Sequence, residues 1–463
     1  MKIAPVTGFA AAREYYRFFH DPVDAMRERY KRYGPVAPLG PIFAGQPSKP
    51  RLLIAGPELN RQVLSDPATF RTTGQLIRGP RGSAQQRIRF GLTRMNGAQH
   101  KQQRQLIMPA FHKSAVDGYH ALMVEVATGV LNKWKPGRVY DIHSEMRAFV
   151  LQLSSAILFS ADPDEGLAIG KLMEEWLLRN FSSSVWMLPV DLPGTAYRGL
   201  LRHAERIEKE ILSMIERRRA SPGKRRDVLS LLMEARDDEN RGMTDEELVG
   251  QATILFGASF ETAATTLTWT LFLLAQHPAV MRKLMDEFDA VLSSSAPSPD
   301  QLPKLEFLAC VIKESMRVLS PVPYAIRATA RRVKIGPLTL PHGSTIVCGH
   351  YLTHHMPELY PEPERFQPER WNSIDPGQYE YLPFSAGPRA CIGAIFATQL
   401  LKISLTLMLQ RFRFAVVPGT RIDRVARITM QPRHGMPMMV FDNDRQYASS
   451  RVAGQIHEMV ELP

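Results

Sequence analysis

One short run, Phe384-Ser-Ala-Gly387-Pro-Arg389-Ala-Cys391-Ile-Gly393, sets a single cysteine where its chemistry is easily provoked. A helical pattern starts at once after it, so the thiol would meet free backbone N–H groups and the positive end of a helix dipole, both of which favour thiolate. Gly387 and Gly393 allow backbone to approach the sulfur closely, and Arg389 places a cation nearby. A lone cysteine is more often a small buried hydrophobe, so the spacing of its neighbours has to separate the two readings.

Three other constellations carry possible chemistry. Glu314 and Arg317 share a face of one predicted helix at i,i+3 spacing. The same spacing at Glu14/Arg17 and Glu216/Arg219 reads as a solvated face, and only the position of Glu314 between a long helix and a set of strands singles it out. Within that long helix, Gly257-Ala-Ser259-Phe-Glu261-Thr262 sets an alcohol directly after a carboxylate among apolar residues. This is either a satisfied core pair, with Thr262 bonded to a carbonyl one turn back, or a proton relay. His100, Arg104 and Arg327 are cations that, taken singly, read as solvent-facing. His350, His354 and His355 have metal-like spacing but lack the glutamate of an H-E-x-x-H site, so surface histidines are expected. The basic cluster Arg78, Arg81, Arg87, Arg89 and Arg94 has no interleaved aromatic residues, which argues against nucleic acid and for a solvated loop.

The elements that must position these groups are mostly helices. From about Asp117 to Gln276 apolar residues recur at three- and four-residue spacing, with breaks at Pro189, Pro193-Gly194 and Ser221-Pro222-Gly223. The longest helix is predicted from a Thr244/Glu247 capping box to His277-Pro278, ~48 Å at 1.5 Å per residue. A second helix, Pro303 to Leu319, stops at Pro321. Strands are predicted over Val333–Leu340, around Gly336-Pro337, and over Thr345–Cys348. The last helix spans roughly Cys391 to Gln410. No repeat or linker divides the chain, so 1–440 reads as one domain and 441–463 as a polar, loosely held tail. Thr253–Ala275 is long enough to span a bilayer, but Glu261 at its middle would cost ~2.5–3.5 kcal/mol there, so a buried central helix is expected instead. The N-terminal run Ile3–Ala12 is too short to span.

Composition narrows the rest. The chain has 463 residues, 44% hydrophobic and 22% charged, which excludes general disorder, collagen-like repeats and a coiled-coil rod. Three cysteines cannot build a disulfide framework, and their scarcity fits a cytoplasmic setting. A net charge of +12 favours acidic partners or surfaces. There is no Walker A loop and no G-x-G-x-x-G, hence no sign of a fused nicotinamide- or flavin-binding module.

The cysteine run resembles the haem-ligand signature of the cytochrome P450 family, F-x-x-G-x-R-x-C-x-G, at every fixed position, and the other motifs follow in that family's order. The resemblance implies a mainly α fold with small β-sheets, a single triangular domain holding haem b between the long helix and the cysteine loop. Cys391 would then be the proximal iron ligand, with Phe384, Arg389 and Gly393 shaping its loop. His100, Arg104, Arg327 and Arg389 would meet the haem propionates, His100 standing where the family usually has tryptophan. Arg370, in Phe366-Gln-Pro368-Glu-Arg370-Trp371, would complete a Glu314–Arg317–Arg370 network, with Arg365 as the weaker alternative. Glu261 and Thr262 would deliver protons during oxygen activation, although Ser259 stands at the usual glycine position. The loop carrying Arg78 to Arg94 would lie near the substrate, which leaves room for an anionic substrate group. The implied activity is insertion of one oxygen atom of O2 into an apolar small molecule of secondary metabolism. Electrons would come from a ferredoxin or flavodoxin with its reductase, and no nucleic acid, membrane anchor or oligomer is expected. A peroxygenase, a haem-thiolate isomerase, or a non-catalytic haem sensor or carrier are the alternatives.

Overall fold

The computed structural model describes residues 17–18, 20–39, 49–74, 76–159, 163–220, 227–292, 296–426 and 429–463. The run Ile3–Ala12, the Glu14 of Glu14/Arg17 and the break Ser221-Pro222-Gly223 lie outside them.

Seven helices build the frame around the candidate residues: α1 Gly97–Ile107, α2 Ile142–Phe159, α3 Pro163–Asn180, α4 Ala196–Ala220, α5 Asp245–Gln276, α6 Glu306–Val318 and α7 Ala394–Arg411. Helix α5 is the predicted long helix, and its start follows from the capping box. The Thr244 side chain accepts from Glu247 N–H at 3.3 Å, while Glu247 Oε2 accepts from Thr244 N–H at 2.9 Å. It runs for 32 residues, unbroken at Ser259. Most of its side chains are buried, as befits a central helix packed on α2, α3, α6 and α7. Among the described residues no helix is long and apolar enough to cross a membrane.

The sheets are small and peripheral. The largest orders its strands β1-β2-β8-β5-β3, comprising β1 Val36–Pro38, β2 Arg51–Ile54, β3 Phe70–Arg71, β5 Ala325–Thr329 and β8 Thr345–Cys348. β2 and β8 are parallel, with Arg51 opposite Thr345; the other pairs are antiparallel. The predicted Val333–Leu340 stretch is a hairpin of β6 Val333–Ile335 and β7 Leu338–Leu340. Its turn needs Gly336 at φ +52°. A third sheet joins β4 Arg138–Asp141, β12 Pro437–Asp442 and β9 Phe412–Val416. β4 interrupts the region read as overwhelmingly helical, because Arg138–Asp141 finds its partner about three hundred residues away in Pro437–Val440.

Two expectations are corrected. The stretch after Val440 is not loose: Val452, Ile456, Met459 and Val460 enter the core, and Ala453 bridges to Arg421. Apolar residues spaced through a polar sequence anchor it. The three histidines are not at the surface either. His350 and His354 are buried, and His354 accepts Leu382 N–H at 2.8 Å through Nε2 while its Nδ1 meets Ser320 Oγ at 2.8 Å. Among the described residues no cluster of histidine, cysteine and acidic side chains could hold a metal ion.

Candidate functional site

The cysteine loop sits where two short structures meet: a 3-10 turn at Gly387–Arg389 and the N-terminus of α7, whose N-cap is Gly393. Gly387 has φ +69°, and a Cβ there would lie 2.4 Å from Leu64 O, so both conformation and space demand glycine. Cys391 N–H donates to Phe384 O at 2.8 Å, closing the loop on itself. The Cys391 side chain is solvent-accessible, unlike Cys348, which is fully buried in β8, and Cys310, which is intermediate. Burial of its surroundings raises the Cys391 thiol pKa, opposed by Gly393 N–H and by the nearby Arg104 guanidinium. The helix start and Arg104 thus pull toward thiolate while burial pulls the other way.

Cations gather behind the loop. Arg104, on α1, donates through Nη1 to Ala390 O at 2.9 Å. Arg389 donates to Met95 O, to Asn96 Oδ1 at 3.0 Å and to Leu92 O at 3.3 Å. Burial lowers the Arg389 pKa to about 10, with Arg327 and Arg104 adding repulsion. His100 is buried, and burial followed by Arg389 and Arg104 lowers its pKa to about 4, so the ring is neutral. Arg327, in β5, is 7% exposed, and its Nη1 donates to Ile326 O at 2.9 Å. None of Arg104, Arg327 and Arg389 is paired with a carboxylate among the described residues, although each lies within electrostatic reach of another. Partly buried like charges without a counter-ion fit a ligand that brings carboxylates of its own. A haem, with two propionates and an iron needing a thiolate, matches this donor set, and an accessible cysteine beside unpaired arginines is the arrangement it requires.

The long helix contributes a different surface. Ala258 is exposed between the fully buried Phe256 and Phe260, and Thr262 follows one turn later on the same face. Thr262 Oγ1 donates to Ala258 O at 2.9 Å. Ser259 Oγ donates to Phe256 O at 3.0 Å and to Ser154 Oγ of α2 at 3.2 Å, tying the two helices together. Glu261 is held by Arg147 of α2 at 3.1 Å, and Arg147 also holds Glu174 of α3 at 2.8 Å while lying over the Phe260 ring at 4.9 Å. Sequence reasoning missed Arg147 and Glu174. The only available signal was a charged residue inside an apolar helical pattern, which does not name a partner over a hundred positions away.

Glu314 is the most completely bonded carboxylate of the site. Its side chain is fully buried, accepting two bonds from Arg317 at 2.9 Å, one from Arg370 Nε at 2.8 Å, one from Gln367 N–H at 3.0 Å and one from Trp371 Nε1 at 3.0 Å. Arg317 also donates to His354 O and Pro363 O, each at 2.8 Å. Arg365 points outward to Glu362 at 2.7 Å, so Arg370, not Arg365, joins Glu314. Trp371 and Gln367 are further members that the spacing of charges did not reveal.

A family profile described as Cytochrome P450 matches residues 5–437. Cyclooctat-9-en-7-ol 5-monooxygenase of Streptomyces melanosporofaciens is 34% identical over 381 residues, covering 80% of this chain and 81% of that protein. Pentalenene oxygenase of Streptomyces avermitilis is 29% identical over 405 residues, covering 85% and 86%. Among solved structures, retinoic acid bound cyanobacterial CYP120A1 superposes with a TM-score of 0.82 at 23% identity, over 93% of this chain and 96% of that one.

Proposed function

Because the chain belongs to the cytochrome P450 family and is a haem-thiolate monooxygenase, we propose that Cys391 is the iron ligand of a haem b and that Thr262 and Glu261 manage the protons its reaction consumes. The single observation behind this reading is the accessible Cys391 near Arg104, which with Arg389 and Arg327 forms a chain of arginines that have no carboxylate partner among the described residues. When bound, a thiolate-ligated haem supplies oxygen activation, the thiolate donating electron density that favours O–O cleavage. The chain's own residues do the rest. Arg104, Arg327, Arg389 and neutral His100 hold the propionates, and Gly393 N–H steadies the sulfur. Thr262 keeps a hydroxyl on the open face of α5, where it can pass on a proton. Glu261 can swing toward that face because Arg147, on release, keeps Glu174 as its partner.

The substrate is a small molecule of secondary metabolism whose reacting body is apolar, a reading supported by relatives named for cyclooctat-9-en-7-ol and pentalenene. Its electrons come from an acidic ferredoxin or flavodoxin with its reductase, and the protein works as a cytoplasmic monomer. The test begins with the ferrous–CO complex, which should show the strongly red-shifted Soret band of thiolate ligation. Cys391→Ser should abolish that band, and Cys310→Ser and Cys348→Ala should keep it; a normal band in Cys391→Ser overturns the ligand assignment. Turnover of a hydrocarbon-rich substrate with O2 and an electron donor supports the monooxygenase. Turnover with peroxide alone would make it a peroxygenase, and no turnover or substrate-induced spectral change would leave a sensor or carrier.

A further inference from the structure

A cavity of about 940 Å³ opens between β2, β5 and β8 on one side and the stretches 71–74, 76–78 and 185–189 on the other. Six cations line it, Lys49, Arg51, Arg71, Arg78, Arg89 and Arg94, and no aspartate or glutamate does so among the described residues. Three of the six, Arg51, Arg89 and Arg94, are wholly or partly withdrawn from water. Arg89 is 5% exposed; its Nη2 donates to Leu76 O at 2.7 Å, but its Nε is buried without a hydrogen-bond partner. Nη1 of Arg94 is buried and equally unpartnered. Burial first, and then the Arg78 charge, lowers the Arg94 pKa. The neighbouring Arg87 shows the ordinary solution for a half-buried guanidinium, a two-point pair with Glu208 at 2.5 and 2.7 Å. Among the described residues Arg89 and Arg94 have no such acid. The basic cluster is therefore only in part the solvated loop expected from sequence: Arg78 and Arg81 are exposed, while Arg89 and Arg94 turn inward.

Leu76, Ile77, Trp186 and Ile326 give the wall apolar patches between neutral polar residues such as Thr72, Thr329 and Thr345. Asn96 lines the cavity and also accepts from Arg389, whose loop carries Cys391. Asn96 thus touches both the cation-lined space and the cysteine loop's arginine.

We propose that the substrate joins an apolar body to an anionic group, a carboxylate or a phosphate, and that Arg78, Arg89 and Arg94 hold this group in the cavity. The proposal rests on the monooxygenase reading for the fate of the substrate, while the binding itself can be measured independently. Calorimetric titration of the haem-loaded protein with dodecanoate, dodecyl phosphate and dodecanol compares one apolar chain with three heads. At low salt at least one anion should bind about tenfold or more tighter than the alcohol, as a charge-assisted pair requires. The tighter of the two anions identifies the head group. Arg94→Gln, and Arg78→Gln at the exposed rim, should each erase most of that advantage while leaving dodecanol binding and haem occupancy unchanged. Equal affinity for all three probes, or an anion preference intact in both variants, would overturn the proposal. So would loss of haem in those variants, which would assign the arginines to the cofactor. An intact anion preference in protein lacking the red-shifted Soret band would support the cavity and overturn only the haem-thiolate reading.

Discussion

Thr262 is bonded within its own helix, and at rest its hydroxyl proton is spent on Ala258 O at 2.9 Å. That bond is compatible with a structural residue and with a relay, since a hydroxyl that donates to a carbonyl still has lone pairs to accept a proton. What distinguishes Thr262 is its place on the open face of an otherwise buried helix. Thr262→Ala should leave haem content and substrate affinity intact while diverting electrons to hydrogen peroxide. Product per electron should fall about tenfold or more, against the ~10²–10⁴ that a positioned proton donor contributes. Oxygen-electrode and product stoichiometries read this directly, and wild-type coupling in the variant would make Thr262 a core residue. Ser259→Gly separates the remaining possibility, that the serine hydroxyl substitutes for Thr262. Because Ser259 Oγ is committed to Phe256 O and to Ser154 on α2, coupling should survive its loss.

Around α6 and the meander that follows it, the physics is that of a buried ion pair, expensive to desolvate and costly to break. Glu314 accepts five hydrogen bonds, so removing one arginine leaves charge stranded at a cost of about 3–5 kcal/mol. Glu314→Ala, Arg317→Ala and Arg370→Ala should each yield protein that incorporates haem poorly, measured as the Soret-to-280 nm ratio. Arg365→Ala should incorporate it normally, because that side chain is exposed. The short helix His350–His354 lies under the same network, Arg317 donating to His354 O. Burial lowers the pKa of His350 to about 3, of His355 to about 3 and of His143 to about 4, from an unfolded value near 6.5. These rings bind more protons unfolded than folded below pH 6.5, so their stability contribution is complete above that pH and is lost as the pH falls. The melting temperature should therefore drop between pH 6.5 and 5, before most carboxylates titrate, and His355→Gln should flatten the drop by up to about 1.4 kcal/mol per pH unit. At this scale the sequence was most readable where local rules decide: the capping box starting α5, and the strand Thr345–Cys348. It was least readable where a partner is distant. β4 exists through Pro437–Val440, Arg147 matters through Glu261, and the histidines are buried by packing that their spacing does not encode.

For the molecule as a whole, the surplus of positive charge must be divided between inward and outward cations before it can be assigned a partner. Lys402, an obvious basic residue on the cysteine helix, is buried, and its ammonium donates to Leu302 O at 2.7 Å and Leu305 O at 3.0 Å. It braces α7 against the turn before α6 and presents no charge to a docking protein. Lys101, on α1 beside Arg104, is exposed; Lys113 is exposed too but already paired with Asp117 at 2.6 Å. A carrier bringing electrons to the cysteine side therefore meets Lys101 as a charge unpaired among the described residues and Lys113 as a partly neutralised one. If that carrier is acidic, the second-order rate of reduction should fall steeply between low and physiological ionic strength, where the screening length shrinks to about 8 Å. Lys101→Glu should lower the low-salt rate by about tenfold, Lys113→Glu by less, and both effects should fade at high salt. Lys402→Met should leave the rate and its salt slope unchanged. Stopped-flow reduction by an acidic ferredoxin under CO measures all four proteins, and a rate indifferent to salt in the wild type would remove the electrostatic argument for such a partner.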